Sequence, residues 1–307
     1  MTMRTNMDHL PSLVQRDLRN VTAMLFEAFT ETTKGRLSDQ YRSGRILTLI
    51  LHGPHVSAEV NQPASEEPFS VLAIVNHPRL ARYDRDWRLV RDRLRRASEI
   101  GEIGRHVHFT VESRERINNA LNEGVPHFVE IVTKGIALYQ AEGMRLDVPR
   151  KLTAAEQRIR GLDEYARWYE RASDFLLGAG FYREHGNNPM AALLLHQACE
   201  HLYQCVLWSL TLHGPRTHSL EELRSAAEKV SPNLRTAWPR EQPFERRAFG
   251  RVDRAYVEVR YGRAYRIRST ELDWAMECAG VLHQMVKNHC GQQLARLARA
   301  TEEACHV

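Results

Sequence analysis

The chain has 307 residues, of which 43% are hydrophobic, and it carries a formal net charge of +5. This length exceeds that of most single domains, so we expect two domains with packed cores. No apolar run reaches the roughly 18 residues that a membrane helix needs, and the N-terminal sequence lacks the apolar segment of a signal peptide. These features exclude membrane-spanning and secreted classes, and they predict a cytoplasmic protein without a membrane partner.

The cysteines also favour a reducing compartment. The chain has five cysteines and no Cys-x-x-Cys pair. Disulfide frameworks and zinc sites use cysteines at paired spacings. We therefore expect reduced packing residues at Cys199, Cys205, Cys278, Cys290 and Cys305.

Strands and helices are mixed along the first half of the chain. Residues 8–32 have apolar side chains at every third or fourth position, which predicts an amphipathic helix. Short runs rich in branched residues predict strands at 46–51 and 69–75. The pattern continues with a basic helix, a strand and two short helices, at residues 87–100, 106–111, 114–121 and 128–134. This mixture predicts an α+β fold, which we place at residues 1–145.

The second half has helical periodicity almost throughout. Residues 144–151 are polar around Pro149, which predicts a linker. Asn188 is the predicted N-cap of one helix, with a proline in its first turn, and Ser219 with Glu222 fits a capping box. Five helices are predicted, at residues 152–179, 188–212, 219–229, 244–260 and 269–300. They define an all-α domain at residues 152–300.

Positive charge is concentrated between residues 235 and 268. This stretch has ten arginines, no lysine and four acids, which gives a local balance of +6. A polyanion such as RNA, or a nucleotide phosphate, would neutralise this charge, and the alternative is a solvated basic face.

The fourth helix of the second half separates apolar from basic residues. Arg247, Arg251 and Arg254 recur at helical spacing and share one face. Tyr261 and Tyr265 follow among further arginines, and they are the candidates for exposed aromatics that stack on bases.

Two segments of the second half carry a family resemblance. They are AALLLHQACEHLYQCVLWSLTLHGPRTHSLEEL at residues 191–223 and AWPREQPFERRAFGRVDRAYVEVRYGRAYRI at residues 237–267. Both are similar to a HEPN domain, an all-α module of prokaryotic toxin–antitoxin and defence systems. The resemblance implies a homodimer through the helical domain.

Ribonuclease members of the HEPN family have an arginine followed within two helical turns by a histidine. The arginine stabilises the phosphate, and the histidine transfers protons near neutral pH. Here Arg260 occupies the arginine position, but Ala264 or Tyr265 stands where the histidine is expected. The remaining formal match, Arg299 with His306, lies in the terminal tail. The resemblance therefore implies a domain that lacks the ribonuclease histidine.

The first half resembles a minimal nucleotidyltransferase domain, through SVLAIVNHP at residues 70–78 and FVEIVTKGIALYQAEG at residues 128–143. In that family a Gly-Ser turn holds the nucleotide phosphates, and two carboxylates on the next strand bind magnesium. Here Gly53 matches, but Pro54 replaces the serine, and Ser70 stands at a carboxylate position. The resemblance implies a degenerate nucleotide site at these three residues, with no metal and no cofactor.

One further group has a spacing of chemical interest. His196, Glu200 and Tyr203 lie on one face of the second helix of this half, which could bring a histidine and a carboxylate to one metal ion. No second pair at ligand spacing accompanies them, so a polar seam or a dimer contact is favoured.

The leading hypothesis is a catalytically degenerate, homodimeric nucleotidyltransferase–HEPN protein of a toxin–antitoxin or defence system. It would bind RNA or a nucleotide through Arg247, Arg251, Arg254, Arg260, Arg263 and Arg266, with Tyr261 and Tyr265. One alternative is a metal-independent ribonuclease that combines Arg260 with a non-histidine partner, or with a histidine from elsewhere in the dimer such as His196 or His201. The other is a protein-interaction module without a nucleic-acid ligand.

Overall fold

The computed structural model describes residues 3–56, 68–262 and 264–305. The chain divides into two compact units, unit 1 at Met1–Lys151 and unit 2 at Leu152–Val307. Unit 1 combines helices with a sheet, and unit 2 is helical. Among the described helices, none is long and apolar enough to cross a membrane.

The described residues of unit 1 form a four-stranded sheet in the order β3-β2-β1-β4. The strands are β1 (Ile46–His52), β2 (Phe69–Val75), β3 (Val107–Ser113) and β4 (Ile136–Gln140). Strand β1 is antiparallel to β2 and β4, whereas β2 and β3 are parallel. The two central strands are buried on both faces, which explains their nearly continuous apolar sequences.

The helices of unit 1 complete its core. They are α1 (Ser12–Thr33), α2 (Asp39–Arg42), α3 (Arg88–Glu99), α4 (Arg114–Asn122) and α5 (Pro126–Lys134). Helix α1 contacts α3, and its apolar face is buried as the periodicity predicts. Trp87 stacks on Phe29 with ring centroids 5.1 Å apart, and its indole Nε1 donates to the Leu80 carbonyl at 2.7 Å. This bonded, buried tryptophan joins α1 to the start of α3.

The predicted linker belongs to unit 1. The Arg150 amide donates to the Leu121 carbonyl at 2.9 Å, and Asn122 Nδ2 donates to Asp147 Oδ2 at 3.0 Å. Leu146, which directly precedes Asp147, is buried. The polar residues that suggested a linker are therefore the hydrogen-bond partners of α4.

Five helices build unit 2, with one short 3-10 helix at Pro232–Thr236. They are α6 (Ala154–Glu184), α7 (Asn188–Thr211), α8 (Leu220–Val230), α9 (Pro243–Tyr261) and α10 (Ser269–Cys305). Helix α7 contacts each of the other four and is buried along most of its length. Its sequence is apolar nearly all round, as a central helix requires.

The helix ends in unit 2 follow from local chemistry. Helix α6 starts with a capping box between Thr153 and Glu156. The N-cap of α7 is Asn187 and not the predicted Asn188, because the Asn187 Oδ1 lies 3.2 Å from the Met190 amide and accepts its hydrogen bond. Ser219 caps α8 as predicted, accepting from the Glu222 amide at 3.3 Å.

The cysteines of unit 2 lie in the core. Cys199, Cys205, Cys278 and Cys290 are free and buried. They are packing residues, as the sequence predicts, and the side chain of Cys305 lies outside the described residues.

Candidate functional site

The arginines of α9 are divided between two sides of the helix. Arg247, Arg251 and Arg254 share one side, as their spacing predicts. Arg260 follows Arg251 by nine residues, and a rotation of about 100° per residue places it on the opposite side. The predicted binding set therefore cannot form one continuous face.

A cavity of about 630 Å³ lies on the first side of α9. It is formed by the α6–α7 turn, α9, the segment before α10 and the first turn of α10. The lining residues are Gly186, Asn188, Pro189, Arg247, Arg251, Tyr265, Arg266, Ile267, Arg268 and Glu271. We call it the arginine cavity after its four arginines. Its volume is within the range of small-ligand sites, roughly 300 to 1,000 Å³.

The segment between α9 and α10 builds one wall of this cavity by alternation. Tyr265 is half-buried, Ile267 is buried, and Arg266 and Arg268 between and after them are exposed. Residues two apart in extended chain point to the same side, so the two arginines face together. The Tyr265 hydroxyl donates to the Arg251 carbonyl at 3.0 Å and fixes the segment against α9.

Tyr265 is therefore not the exposed aromatic that the sequence suggested. It packs on the core of unit 2, and burial raises the pKa of its hydroxyl. Tyr261, in contrast, is 72% exposed. The position of Tyr265 among arginines misled the prediction, because alternation in extended chain turns its ring inward while its neighbours stay exposed.

One carboxylate balances part of the charge in the cavity. Glu271 is buried, and Arg247 Nε donates to its Oε1 at 2.7 Å while the Arg268 amide donates to its Oε2 at 3.0 Å. Burial raises the pKa of Glu271, but the bonds from Arg247 and the Arg268 amide outweigh this and hold the pKa below its usual value. Glu271 is thus ionised at neutral pH and pairs with Arg247.

Of the remaining three arginines of the cavity, Arg251 lies close enough to Glu271 to help to lower the pKa of that carboxyl group. In the part of the chain that the structure describes, Arg251, Arg266 and Arg268 form no ion pair. The first turns of α7 and α10 also line this cavity, through Asn188 and Glu271. The two helix starts are joined by a hydrogen bond of 3.2 Å from Asn188 Nδ2 to Ser269 Oγ. Helix N-termini carry partial positive charge and favour anions. The arrangement is suited to holding a phosphate.

Of the predicted binding residues that the structure describes, Arg254, Arg260 and Tyr261 do not line the cavity. Arg254 Nε lies 3.2 Å from Glu258 Oε1, which neutralises its charge. Arg263 lies outside the described residues. Arg268 lines the cavity but was not among the predicted binding residues. Its alternation with Arg266 around the apolar Ile267 indicates that both arginines are exposed while Ile267 is buried.

The other side of α9 has a different composition. The Arg260 guanidinium lies 4.6 Å from the centroid of the Tyr256 ring and 5.0 Å from that of Tyr261. The Tyr256 hydroxyl lies 3.1 Å from Nε2 of His218, and the Tyr256 and His218 rings stack with centroids 4.2 Å apart. Tyr256 therefore contacts both Arg260 and a histidine, and this histidine is not the one expected from the helix of Arg260.

A buried carboxylate orients this histidine. The oxygens of Glu200 lie 3.1 and 3.2 Å from His218 Nδ1, which donates because an ionised carboxylate only accepts. His196 Nε2 lies 3.4 Å from the same carboxylate. Burial raises the pKa of Glu200, and the two histidines lower it by more. We call Glu200, His218, Tyr256 and Arg260 the His218 cluster.

Residues 165–289 match the HEPN domain. The match begins in α6 and ends in α10, so it contains the arginine cavity and the His218 cluster, and it supports the resemblance of the second half. A HEPN domain indicates an RNA-related or nucleotide-binding function, and HEPN domains commonly dimerise. No curated protein matches the chain.

Within the region that matches the HEPN domain, the structure shows the surroundings of the histidines named from sequence. His196 is fully buried, and its Nδ1 donates to the Val252 carbonyl at 3.1 Å. His201 packs on the rings of Trp168 and Phe175. His218 was missed as the partner of Arg260, because 42 residues separate them and only the tertiary fold brings them together.

The His196–Glu200 spacing does not build a metal centre in the described chain. Tyr203 is fully buried in the core of unit 2. No group of three or more histidine, cysteine, aspartate or glutamate side chains that could hold a metal ion is found among the described residues. The pair instead belongs to a polar seam between α7 and α9, as favoured from sequence.

The HEPN match does not extend to unit 1, and no comparison supports the nucleotidyltransferase resemblance. The three residues of the predicted degenerate site nevertheless lie together. His52 pairs with Ser70 across β1 and β2, Gly53 adopts a positive φ of 83°, and Pro54 begins a 3-10 helix. The formal match Arg299 with His306 ends outside the described residues.

Proposed function

We propose that the HEPN domain binds RNA or a nucleotide in the arginine cavity and does so as a binding protein with little or no catalysis. One observation carries this proposal: three arginines without ion pairs face one ligand-sized cavity beside two helix starts. Guanidinium groups donate charge-assisted hydrogen bonds to phosphate oxygens, and a bound phosphate relieves the repulsion between them.

Filter retention of a radiolabelled RNA at low salt tests the proposal. Arg251→Glu combined with Arg266→Glu should abolish retention, because both changes reverse charge in the cavity. Arg171→Glu combined with Arg296→Glu is the matched control, since both arginines are exposed on α6 and α10 outside the cavity and the net charge changes equally. Unchanged retention of RNA by the cavity variant, or an equal loss of retention in the control, would contradict the proposal.

A second candidate function is metal-independent cleavage of RNA at the His218 cluster. The supporting observation is His218 itself, which Glu200 holds through Nδ1 while the ring is 57% exposed and lies beside Tyr256 and Arg260. A histidine oriented in this way can transfer protons, and an arginine can stabilise the phosphate.

Incubation of the full chain with RNA in a chelator tests this second function. Cleavage should disappear in His218→Ala and in Arg260→Ala, while retention of RNA stays unchanged. Intact RNA after incubation with the unaltered protein would exclude it. Absence of both retention and cleavage would favour the protein-interaction alternative.

We further propose a two-domain homodimer, with domains at residues 1–145 and 152–300 and dimerisation through the HEPN domain, acting in a toxin–antitoxin or defence system. The tendency of HEPN domains to dimerise supports the assembly. Light scattering coupled to gel filtration should give twice the mass of the 35.5 kDa chain. A monomeric mass across accessible concentrations would contradict the dimer.

A further inference from the structure

Four of the nine described arginines of the basic stretch at residues 235–268 form ion pairs within the protein, and they are Arg235, Arg240, Arg247 and Arg254. Arg240 Nη2 donates to Glu228 at 2.7 and 2.9 Å, and Arg235 Nε lies 3.6 Å from the same carboxylate. Arg246 Nη1 donates to the carbonyls of Arg240 and Glu241 at 2.7 and 2.6 Å. Among the described arginines of this stretch, Arg246, Arg251, Arg260, Arg266 and Arg268 form no ion pair.

Three of these five arginines, Arg251, Arg266 and Arg268, line the arginine cavity. Arg266 and Arg268 project from one side of an extended segment, and the hydrogen bond from Tyr265 holds that segment against Arg251. Four guanidinium groups and the Glu271 carboxylate give the cavity a formal charge of +3. A single compact anion fits this distribution better than an extended one.

The phosphate that best matches this charge is a terminal one. An internal phosphodiester carries one negative charge and two oxygens outside the chain. A terminal phosphate monoester has three such oxygens and a charge between about −1.5 and −2 at pH 7. Three unpaired arginines can each donate to one of three oxygens, so the monoester uses them all.

The size and walls of the cavity accommodate a nucleoside next to that phosphate. The volume of about 630 Å³ exceeds that of a phosphate group alone. The half-buried Tyr265 ring and the Ile267 side chain supply apolar wall. The end of a strand, or a free nucleotide, can enter such a cavity, whereas an internal nucleotide has chain on both sides.

We propose that the arginine cavity selects a terminal phosphate monoester on a nucleoside, at the end of an RNA strand or in a free nucleotide, over an internal phosphodiester. This inference rests on the proposed function, because it names the ligand chemistry of the same cavity. It assigns Arg251, Arg266 and Arg268 to the phosphate and leaves the nucleoside to the apolar wall.

Fluorescence anisotropy with the full chain tests the selection. The probes are RNAs of one sequence that carry a 5′-phosphate, a 3′-phosphate or hydroxyls at both ends, each labelled away from the end under test. An end phosphate should tighten binding by at least about tenfold, since charge-assisted bonds exceed neutral ones. Affinity for the phosphorylated strands should not rise with strand length.

Competition separates the two sources of the phosphate. Displacement of the probe by nucleoside 5′-monophosphates, and not by nucleosides, supports a nucleotide site; displacement by phosphorylated strands alone supports a strand-end site. Equal binding of all three RNAs, with affinity rising with length, overturns this inference and leaves the proposed function standing. Failure to bind any RNA or nucleotide overturns both.

Single variants connect the selection to the cavity. Arg266→Ala and Arg268→Ala should each reduce the preference for an end phosphate to less than about threefold, and both residues are exposed, so folding should be preserved. Arg171→Ala is the control and should keep the full preference. Retention of the preference in both cavity variants, with circular dichroism unchanged, overturns the assignment.

Discussion

The two sides of α9 use the same residue type in opposite ways. In the arginine cavity, Arg251, Arg266 and Arg268 have no ion pair in the described chain, and the charge is open to a ligand. In the His218 cluster, Arg260 lies against two tyrosine rings, and His218 is bonded to Glu200. The first side has guanidinium groups without a carboxylate partner in the described chain, whereas the groups of the second side contact one another. Arginine density alone cannot distinguish these arrangements, whereas the pairing of each arginine does.

The largest expected effect separates the two sides by RNA binding. Arg251→Glu with Arg266→Glu should weaken binding by at least about a hundredfold, because two charge-assisted contacts become repulsive. Arg260→Glu should change binding by less than about threefold. The measurement is anisotropy at low salt, and a similar loss in both variants would remove the distinction between the two sides.

Stability should also differ between the two buried carboxylates. Arg247→Ala leaves Glu271 buried without its ion-pair partner and should lower the free energy of unfolding by about 1 to 2 kcal/mol, the partly exposed arginine limiting the loss. Urea denaturation checks this. Adding Glu271→Gln should recover part of the loss; an undiminished free energy in the single variant would show that the pair is not stabilising.

Low pH should reduce the free energy of unfolding through one carboxylate on each side of α9. Glu200 and Glu271 each have a folded-state pKa below the ordinary 4.5. Each contributes stability that is present above the unfolded pKa and is lost as pH falls through the folded one. The urea concentration at the midpoint of unfolding should therefore decrease as the pH falls below about 4.5. This decrease should be less steep in Glu200→Gln and Glu271→Gln. Parallel pH profiles for all three proteins would contradict these assignments.

The smallest effect concerns His218 itself. His218→Ala should lower the free energy of unfolding by less than about 1 kcal/mol, because the ring is exposed and Glu200 still has His196 nearby. RNA binding should stay within about twofold of the unaltered protein. Thermal denaturation and anisotropy check both values, and a loss of binding in this variant would place the ligand on the other side of α9.

Much of the fold follows from sequence periodicity. Both central strands of unit 1 and all five helices of unit 2 were predicted, because apolar spacing reports directly which face is buried. The end of α6 was placed too early, at residue 179, whereas the helix continues to Glu184 and the chain turns at Gly186, which has a φ of 73°.

The candidate site was only partly readable. The shared face of Arg247 and Arg251 follows from spacing, and the opposite position of Arg260 follows from its nine-residue offset. The pairing of Arg235 and Arg240 with Glu228, and the contacts of Tyr256 with both Arg260 and His218, depend on how the helices pack. Charge counted along a sequence therefore overstates the charge that a ligand can meet.

The hydrogen bond between Asn188 and Ser269 joins the start of α7 to the start of α10 across the arginine cavity. A ligand bound there would add a second link between these two helix starts and would offset the repulsion of three guanidinium groups. A ligand at a hundred times its dissociation constant raises the free energy of unfolding by about 2.7 kcal/mol. The unfolded fraction, and with it the rate of degradation by cellular proteases, would then fall as ligand accumulates, so the abundance of this protein would follow the supply of its own ligand.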